Sequence, residues 1–305
     1  MKHFLDLASL STREVEYLLE LALHLKMEWQ AGGNRPVLLN KTLGMVFQKS
    51  SLRTRVSFEM AMKHLGGSAI MLGPQEIGLG KRESVPDVAR VLSSYVQGIM
   101  ARVYDHEHVV QLAEYSRVPV INGLSDSSHP CQAMADILTI QEHFGKLRGL
   151  RLAYVGDGNN VAVSLALAAA HFGMTFTIAS PEGYELEVSM RDKIFKVADK
   201  NDAVIEMYTR PEEAVSHADV IYTDTWVSMG QEAEAEQRRK EFGDFQVNTN
   251  LLGFANLDCI VMHCLPAHRG DEITDAVMDG QQSKVFEQAE NRLHAQKAIL
   301  VHLLG

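Results

Sequence analysis

Residues 42–67 read TLGMVFQKSSLRTRVSFEMAMKHLGG. The first six are apolar and suit a buried strand. From Phe58 on, Phe58, Ala61, Met62 and Leu65 recur at helical spacing until Gly66 and Gly67 stop the pattern. A strand, a short polar loop and a helix beginning near residue 54 are therefore expected. The loop is unusual in content. Ser51, Arg53, Thr54 and Arg55 crowd hydroxyls and guanidiniums where a helix begins. A helix N-terminus offers free backbone N–H groups and the positive end of a dipole, so it favours an anion. Two guanidinium forks suit phosphate. The alternative is a solvated, well-capped helix start whose arginines pair with surface acids.

The same alternation runs outward in both directions. A capping box, Ser11 to Glu14, opens a helix that should end near Gly32 and Gly33. Strand-like runs recur at SAIML (68–72), GIMARV (98–103) and VPVING (118–123), with helical segments at 84–96, 106–116 and 129–145 between them. After GKLRG (145–149) the pattern restarts, with strands expected in LRLAYVGDG, TFTIAS, DAVIEMY, ADVIYTDTW and CIVMHCLP, and a helix at 159–173. Strands alternating with helices predict an α/β chain with parallel sheets. The last helix, at about 287–304, has apolar positions whose destination periodicity does not reveal.

Bulk numbers bound the possibilities. A chain of 305 residues points to two domains of about 150 residues each. A composition 46% hydrophobic and 22% charged is ordinary for a globular protein. The net charge of −10 argues against a nucleic-acid partner, so any anion site is a local concentration of arginine. Cys131, Cys259 and Cys264 form no CxxC pair and leave an odd count, which points to a reducing compartment. The N-terminus is amphipathic and acidic rather than signal-like, and no apolar run approaches the roughly 20 residues of a membrane helix. A cytoplasmic location is expected.

Ligands of open α/β sheets bind outside the carboxyl ends of the strands. Besides the 51–55 loop, those ends carry Arg102, the HPCQ helix start (129–132), Asn159 and Asn160 in GDGNN, DTWVSMGQE (224–232) and HCLPAHRGDE (263–272). GDGNN resembles a dinucleotide turn but has Val161 at the third glycine, which weakens a nicotinamide-dependent dehydrogenase reading. Asp224 could hold an ammonium group, with Trp226 packing the turn. His263, Cys264 and His268 fit no standard zinc spacing, and a nucleophilic or merely buried cysteine are both open. EAEAEQRRKE (232–241) pairs Glu234 with Arg238 and Glu236 with Lys240 at i,i+4 and is expected to be a solvated helix face.

In order, S-x-R-T-R, H-P-x-Q, D-x-W-x-S-M-G and H-C-L-P resemble the ornithine carbamoyltransferases, over nearly the whole chain from FLDLASLS to AENR. The resemblance implies two doubly wound parallel-sheet domains with the active site in the cleft between them: residues 1–140 for carbamoyl phosphate, with the C-terminal helix at about 288–305 packed back on them, and residues 141–287 for ornithine. It implies carbamoyl transfer to the ornithine δ-amine, giving citrulline in arginine biosynthesis, and a homo-oligomer that is a trimer or a multiple of trimers. Neither metal nor cofactor is implied. Carried over residue by residue, Ser51, Leu52, Arg53, Thr54, Arg102, His129, Gln132, Cys264, Leu265 and Arg292 match positions that bind carbamoyl phosphate. Asn160, Asp224, Ser228 and Met229 match those that bind ornithine. Arg102, His129, Cys264 and Arg55 form the implied catalytic set. Three positions depart from the pattern. Leu52 replaces a usual threonine, Gly78 a glutamine or histidine that reaches a neighbouring subunit, and Val163 a common histidine. Lys81 or Arg82 could substitute for the Gly78 contact. A different amine acceptor such as putrescine or acetylornithine, and a non-catalytic binder of carbamoyl phosphate, are the competing readings.

Overall fold

A computed structural model describes residues 1–228 and 230–305. The chain divides into two compact units: Met1–Leu138 with Glu290–Gly305, and Thr139–Ala289.

The first unit opens with α1 (Thr12–Gln30), whose capping box closes as expected: Ser11 Oγ accepts from the Glu14 N–H, and the Glu14 carboxylate accepts from the Ser11 N–H. Then follow β1 (Thr42–Phe47), α2 (Leu52–His64), β2 (Ser68–Leu72), α3 (Pro74–Ile77), α4 (Val85–Leu92), β3 (Gly98–Arg102), α5 (His106–Tyr115), β4 (Val120–Leu124) and α6 (Pro130–Phe144). The four strands are parallel in the order β2-β1-β3-β4. Strand order reverses between β1 and β3, so the loop after β1 and the end of β3 lie side by side, with Phe47 paired to Arg102. Central β3 is buried throughout, while edge strand β2 is half-exposed. Buried parallel strands need no alternation, which is why β1 and β3 read as continuous apolar runs. Val46, Ile99 and Ala101 pack with Val88, Val109 and Leu112.

The second unit holds β5 (Arg151–Val155), α7 (Asn160–His171), β6 (Thr175–Ala179), α8 (Val188–Asn201), β7 (Val204–Tyr208), α9 (Pro211–Val215), β8 (Val220–Thr223), α10 (Ala235–Glu241), α11 (Thr249–Leu252), β9 (Ile260–His263) and α12 (Asp275–Met278). Its five parallel strands run β7-β6-β5-β8-β9, and the order reverses between β5 and β8. That switch point sets the GDGNN turn beside the DTWVS loop. The last helix, α13 (Val285–Leu304), contributes residues 290–304 to the first unit. Lys26 Nζ donates to Asn291 Oδ1 at 2.8 Å and the buried Lys297 Nζ to Asn34 Oδ1 at 2.6 Å. No described helix is long and apolar enough to cross a membrane.

Two glycines carry structural meaning. Gly78 ends α3 with φ +57, a left-handed conformation, and an added Cβ would lie 2.8 Å from Arg82 Cβ. A β-carbon on Gly158 would lie 2.4 Å from the backbone of both Glu185 and Leu186. Backbone gives way less readily than a side chain, so Gly158→Ala is expected to destabilise the protein by about 2 kcal/mol or more, read as a lower denaturant midpoint. An unchanged midpoint would show that the turn is not held against residues 185–186.

Candidate functional site

In the first unit the site begins with a helix cap. Ser51 is extended and its Oγ accepts from the Thr54 N–H at 3.3 Å, then donates to Thr54 Oγ1 at 3.1 Å. Thr54 is fully buried at the first turn of α2. Two guanidiniums from remote parts of the chain meet its hydroxyl. Arg102 Nη1 lies 3.4 Å from Thr54 Oγ1 and Arg292 Nη2 2.9 Å from it, and both arginines are nearly buried, at 6% and 3% exposure. β3 delivers the first and α13 the second.

His129 stands at the start of α6, also buried. Burial holds its imidazole well below its ordinary pKa, and the charges of Arg292, Arg102 and Arg53 lower it further. Burial and the three arginines both disfavour imidazolium, and the arginines alone would favour an anion there. Gln132, one turn along, donates from Nε2 to Asp136 Oδ1 at 2.8 Å. Its buried Oε1 has no hydrogen-bond partner among the described residues, leaving an acceptor for a ligand N–H.

Arg55 and Leu52 stand apart from this cluster. The Arg55 side chain is half-exposed, with Nε 3.7 Å from Glu59 one turn along, and Leu52 is 76% exposed, leaving its backbone amide as its means of serving an anion. Cys131, beside His129, is a buried thiol donating to the Asn122 carbonyl; burial pushes it up to about 12, which suits packing rather than nucleophilic work.

The second unit gathers a different set. Asn159 caps α7 by accepting from the Val161 and Ala162 N–H groups, and its Nδ2 donates to Asp224 Oδ2 at 3.0 Å. Asp224 Oδ1 accepts from the Thr225 N–H at 2.8 Å and the Cys264 thiol at 2.9 Å. The ends of β5, β8 and β9 so converge on one buried carboxylate. Asn160 is the first residue of α7, and its carbonyl accepts from Ser164 Oγ. Ser228 donates its N–H to Gln231 Oε1 at 3.1 Å. Leu265 follows Cys264 with a left-handed φ of +61. Met229 lies outside the described residues. Val163 is buried in α7.

The expectation that 232–241 forms a solvated face is corrected at one residue. Glu234 and Arg238 do pair, at 3.1 Å, but Arg238 is buried. Its Nη1 donates to Asp157 Oδ2 at 2.8 Å and to the Trp226 carbonyl at 3.0 Å, while its guanidinium lies 4.8 Å from the Tyr184 ring. One arginine therefore ties the GDG turn to the DTW loop. Local i,i+4 spacing is blind to an acid 81 residues away. Asp224, His263 and Cys264 place ligand-type atoms within 4.8 Å of one another. Both His263 nitrogens are already engaged, Nε2 with Glu272 and Nδ1 with the Leu265 N–H, so as arranged the group offers a cation only a carboxylate and a thiol.

The first unit thus carries a cationic cluster at a helix start, and the second a buried carboxylate at its strand ends. Residues 2–142 match the family described as "Aspartate/ornithine carbamoyltransferase, carbamoyl-P binding domain", and residues 148–303 its "Asp/Orn binding domain". A protein of Anoxybacillus flavithermus named ornithine carbamoyltransferase is 53% identical over 303 residues, 99% of this chain and 96% of that one. One from Pyrococcus furiosus, named ornithine carbamoyltransferase, anabolic, is 53% identical over 308 residues, 100% of this chain and 96% of that one. The solved structure of ornithine carbamoyltransferase from Pyrococcus furiosus superposes with a TM-score of 0.97 at 52% identity, covering 100% of this chain and 97% of that one. The chain belongs to the aspartate/ornithine carbamoyltransferase family.

His129 and His294 give the fold a pH dependence. His294, on α13, is held at about 3, first by burial and then by Lys297, Lys26 and His64. In the unfolded chain each imidazole takes up a proton as pH falls through about 6.5, whereas the folded chain resists it. The unfolded state then binds more protons, so stability present above pH 6.5 is lost below it, at up to about 1.4 kcal/mol per pH unit for each imidazole. Urea midpoints should fall between pH 7.5 and pH 5, and His129→Gln should remove part of the slope. A variant with the full wild-type slope would contradict the assignment.

Proposed function

We propose that the chain is an ornithine carbamoyltransferase, moving the carbamoyl group of carbamoyl phosphate to the δ-amine of L-ornithine to give L-citrulline and phosphate, in the direction of arginine biosynthesis. The observation that carries the reading is the meeting of buried Arg102 and Arg292 at Thr54 Oγ1, on the start of a helix. Family membership and the full-length likeness to proteins named ornithine carbamoyltransferase support it.

In this reading Ser51, Arg53 and Thr54, with the backbone amides of 51–55, hold the phosphate. Arg102 bridges phosphate and carbonyl oxygen, and Arg292 completes the cationic wall. His129, neutral in the arginine field, donates a hydrogen bond to the carbonyl oxygen. Gln132 accepts from the carbamoyl amine through the Oε1 left free inside the protein. The acceptor half is acidic: Asp224 anchors the α-ammonium, assisted by Asn160, Ser228 and Met229. Asp224 together with Ser228 and Met229 favours an amino-acid acceptor, because putrescine offers that loop neither an α-ammonium nor an α-carboxylate. Cys264 serves through its thiol bond to Asp224 and its carbonyl rather than as a nucleophile, because the substrate amine attacks.

The neutral δ-amine attacks the carbamoyl carbon. Negative charge grows on the carbonyl oxygen and passes to phosphate as the C–O bond breaks, and the departing phosphate takes the proton that the amine loses. Donors fixed before that charge develops lower the barrier, each worth about 3 kcal/mol. Arg55 stands in this scheme only through its backbone amide. The reading also carries a homo-oligomer, a trimer or multiple of trimers, in the cytoplasm, a setting suited to three free cysteines.

The purified protein should form citrulline from carbamoyl phosphate and ornithine, with far less product from putrescine or acetylornithine. Faster turnover of putrescine would overturn the acceptor assignment. Arg53→Ala should raise the KM for carbamoyl phosphate by about 10- to 100-fold, the equivalent of one lost charged hydrogen bond. Unchanged kinetics would remove Arg53 from the site.

A further inference from the structure

Glu272 closes the HCLPAHRGDE stretch without an assigned role of its own, yet its carboxylate is fully buried. Its Oε1 lies 3.0 Å from His263 Nε2 and accepts the His268 N–H at 2.6 Å. His263 closes β9 and is itself buried. The other ring nitrogen, Nδ1, accepts the Leu265 N–H at 2.9 Å. A nitrogen that accepts carries no proton, so the proton sits on Nε2 and is donated to Glu272. The imidazole is therefore a relay with a fixed direction: Leu265 N–H to Nδ1, then Nε2–H to Glu272.

What the relay holds is a conformation that leucine avoids. Leu265 has φ +61, where a side chain with a β-carbon is disfavoured. Only an over-determined surrounding keeps such a residue in place. Leu265 follows Cys264, whose thiol donates to Asp224. From the other side, His268 Nδ1 lies 2.9 Å from Thr225 Oγ1, next to Asp224. One buried carboxylate thus fixes both the 263–265 segment and the residue that touches the 224–225 segment.

We infer that Glu272 is a positioning residue for the amino-acid half of the site, selecting the His263 tautomer that holds Leu265 left-handed and so aims the Cys264–Leu265 backbone. The assignment rests on the ornithine reading above and adds a residue to it. It acts through His263 and His268 and touches no substrate. The geometry asks only for an acceptor at Oε1, so an amide oxygen suffices and an apolar side chain does not.

The test is kinetic and spectroscopic, on the full chain. Glu272→Leu should raise the KM for ornithine by about tenfold or more, in line with small displacements of positioned groups, and change the KM for carbamoyl phosphate far less. Glu272→Gln, which keeps the accepting oxygen, should restore most of the ornithine KM. An ornithine KM within about twofold of wild type in Glu272→Leu, or an equal rise in both KM values, would overturn the inference. Nitrogen NMR of histidine-labelled wild-type protein, with the His263 signals assigned by loss in His263→Asn, reads the tautomer without any assay and does not depend on a variant folding. The Nε2–H form is expected, and the Nδ1–H form would overturn the inference. If wild-type protein makes no citrulline, it is the ornithine reading that falls, and the NMR result still decides the relay.

Discussion

Two guanidiniums brought from positions 102 and 292 of the chain meet at the hydroxyl of Thr54. Like charges about 4 Å apart cost about 4 kcal/mol at an effective dielectric of 20, and burial removes the water that would dilute the repulsion. A fold that gathers arginines in this way carries a standing preference for an anion. His129 lies in the same field: burial first, and then Arg292, Arg102 and Arg53, hold its imidazole well below its ordinary pKa. The C-terminal helix follows from this constraint, because without residues 290–305 the first unit would lack Arg292.

Sheet topology explains how each half-site assembles. Strand order reverses once in each unit, between β1 and β3 and between β5 and β8. At a reversal, adjacent strands send their following segments apart and leave a crevice at their carboxyl ends. Ser51 and Arg102 flank the first crevice, while Asn159 and Asp224 flank the second. The chemistry divides with the topology, cationic in the first unit and carboxylate-based in the second. Buried polar side chains brace the second. Arg238 and Glu272 each join segments distant in sequence through paired hydrogen bonds.

Much of this was legible in the residues. Apolar runs closed by polar residues located the nine described strands, overrunning the ends of β5, β8 and β9 by three residues, and the capping box and glycines marked α1 and α7. Helix α8 was less visible because its partly charged sequence, VSMRDKIFKVADKN, buries only Ile194, Val197 and Ala198. The S-x-R-T-R and H-P-x-Q motifs pointed to the anion cluster, but spacing could not say that Arg102 and Arg292 meet, since that contact joins residues 190 positions apart through one threonine. Arg238 was misread because a surface i,i+4 pair and a buried hub share one local pattern. Glu272 escaped for a related reason, since its partner His263 lies beyond a turn, and Asn159, though legible as a polar strand-end residue, gave no sign that it would bond Asp224. Local chemistry announces itself in sequence, whereas a bond that crosses the sheet is known only once the sheet exists.

If the buried arginine cluster is the phosphate-binding element, it needs the helix that comes last in the chain. Calorimetric titration of carbamoyl phosphate into wild type and Arg292→Met, with folding of the variant checked by its melting transition, tests that claim most directly. The cluster predicts that the folded variant binds at least about tenfold more weakly, the loss of a hydrogen bond from a charged donor. Equal affinity in a folded Arg292→Met would contradict it.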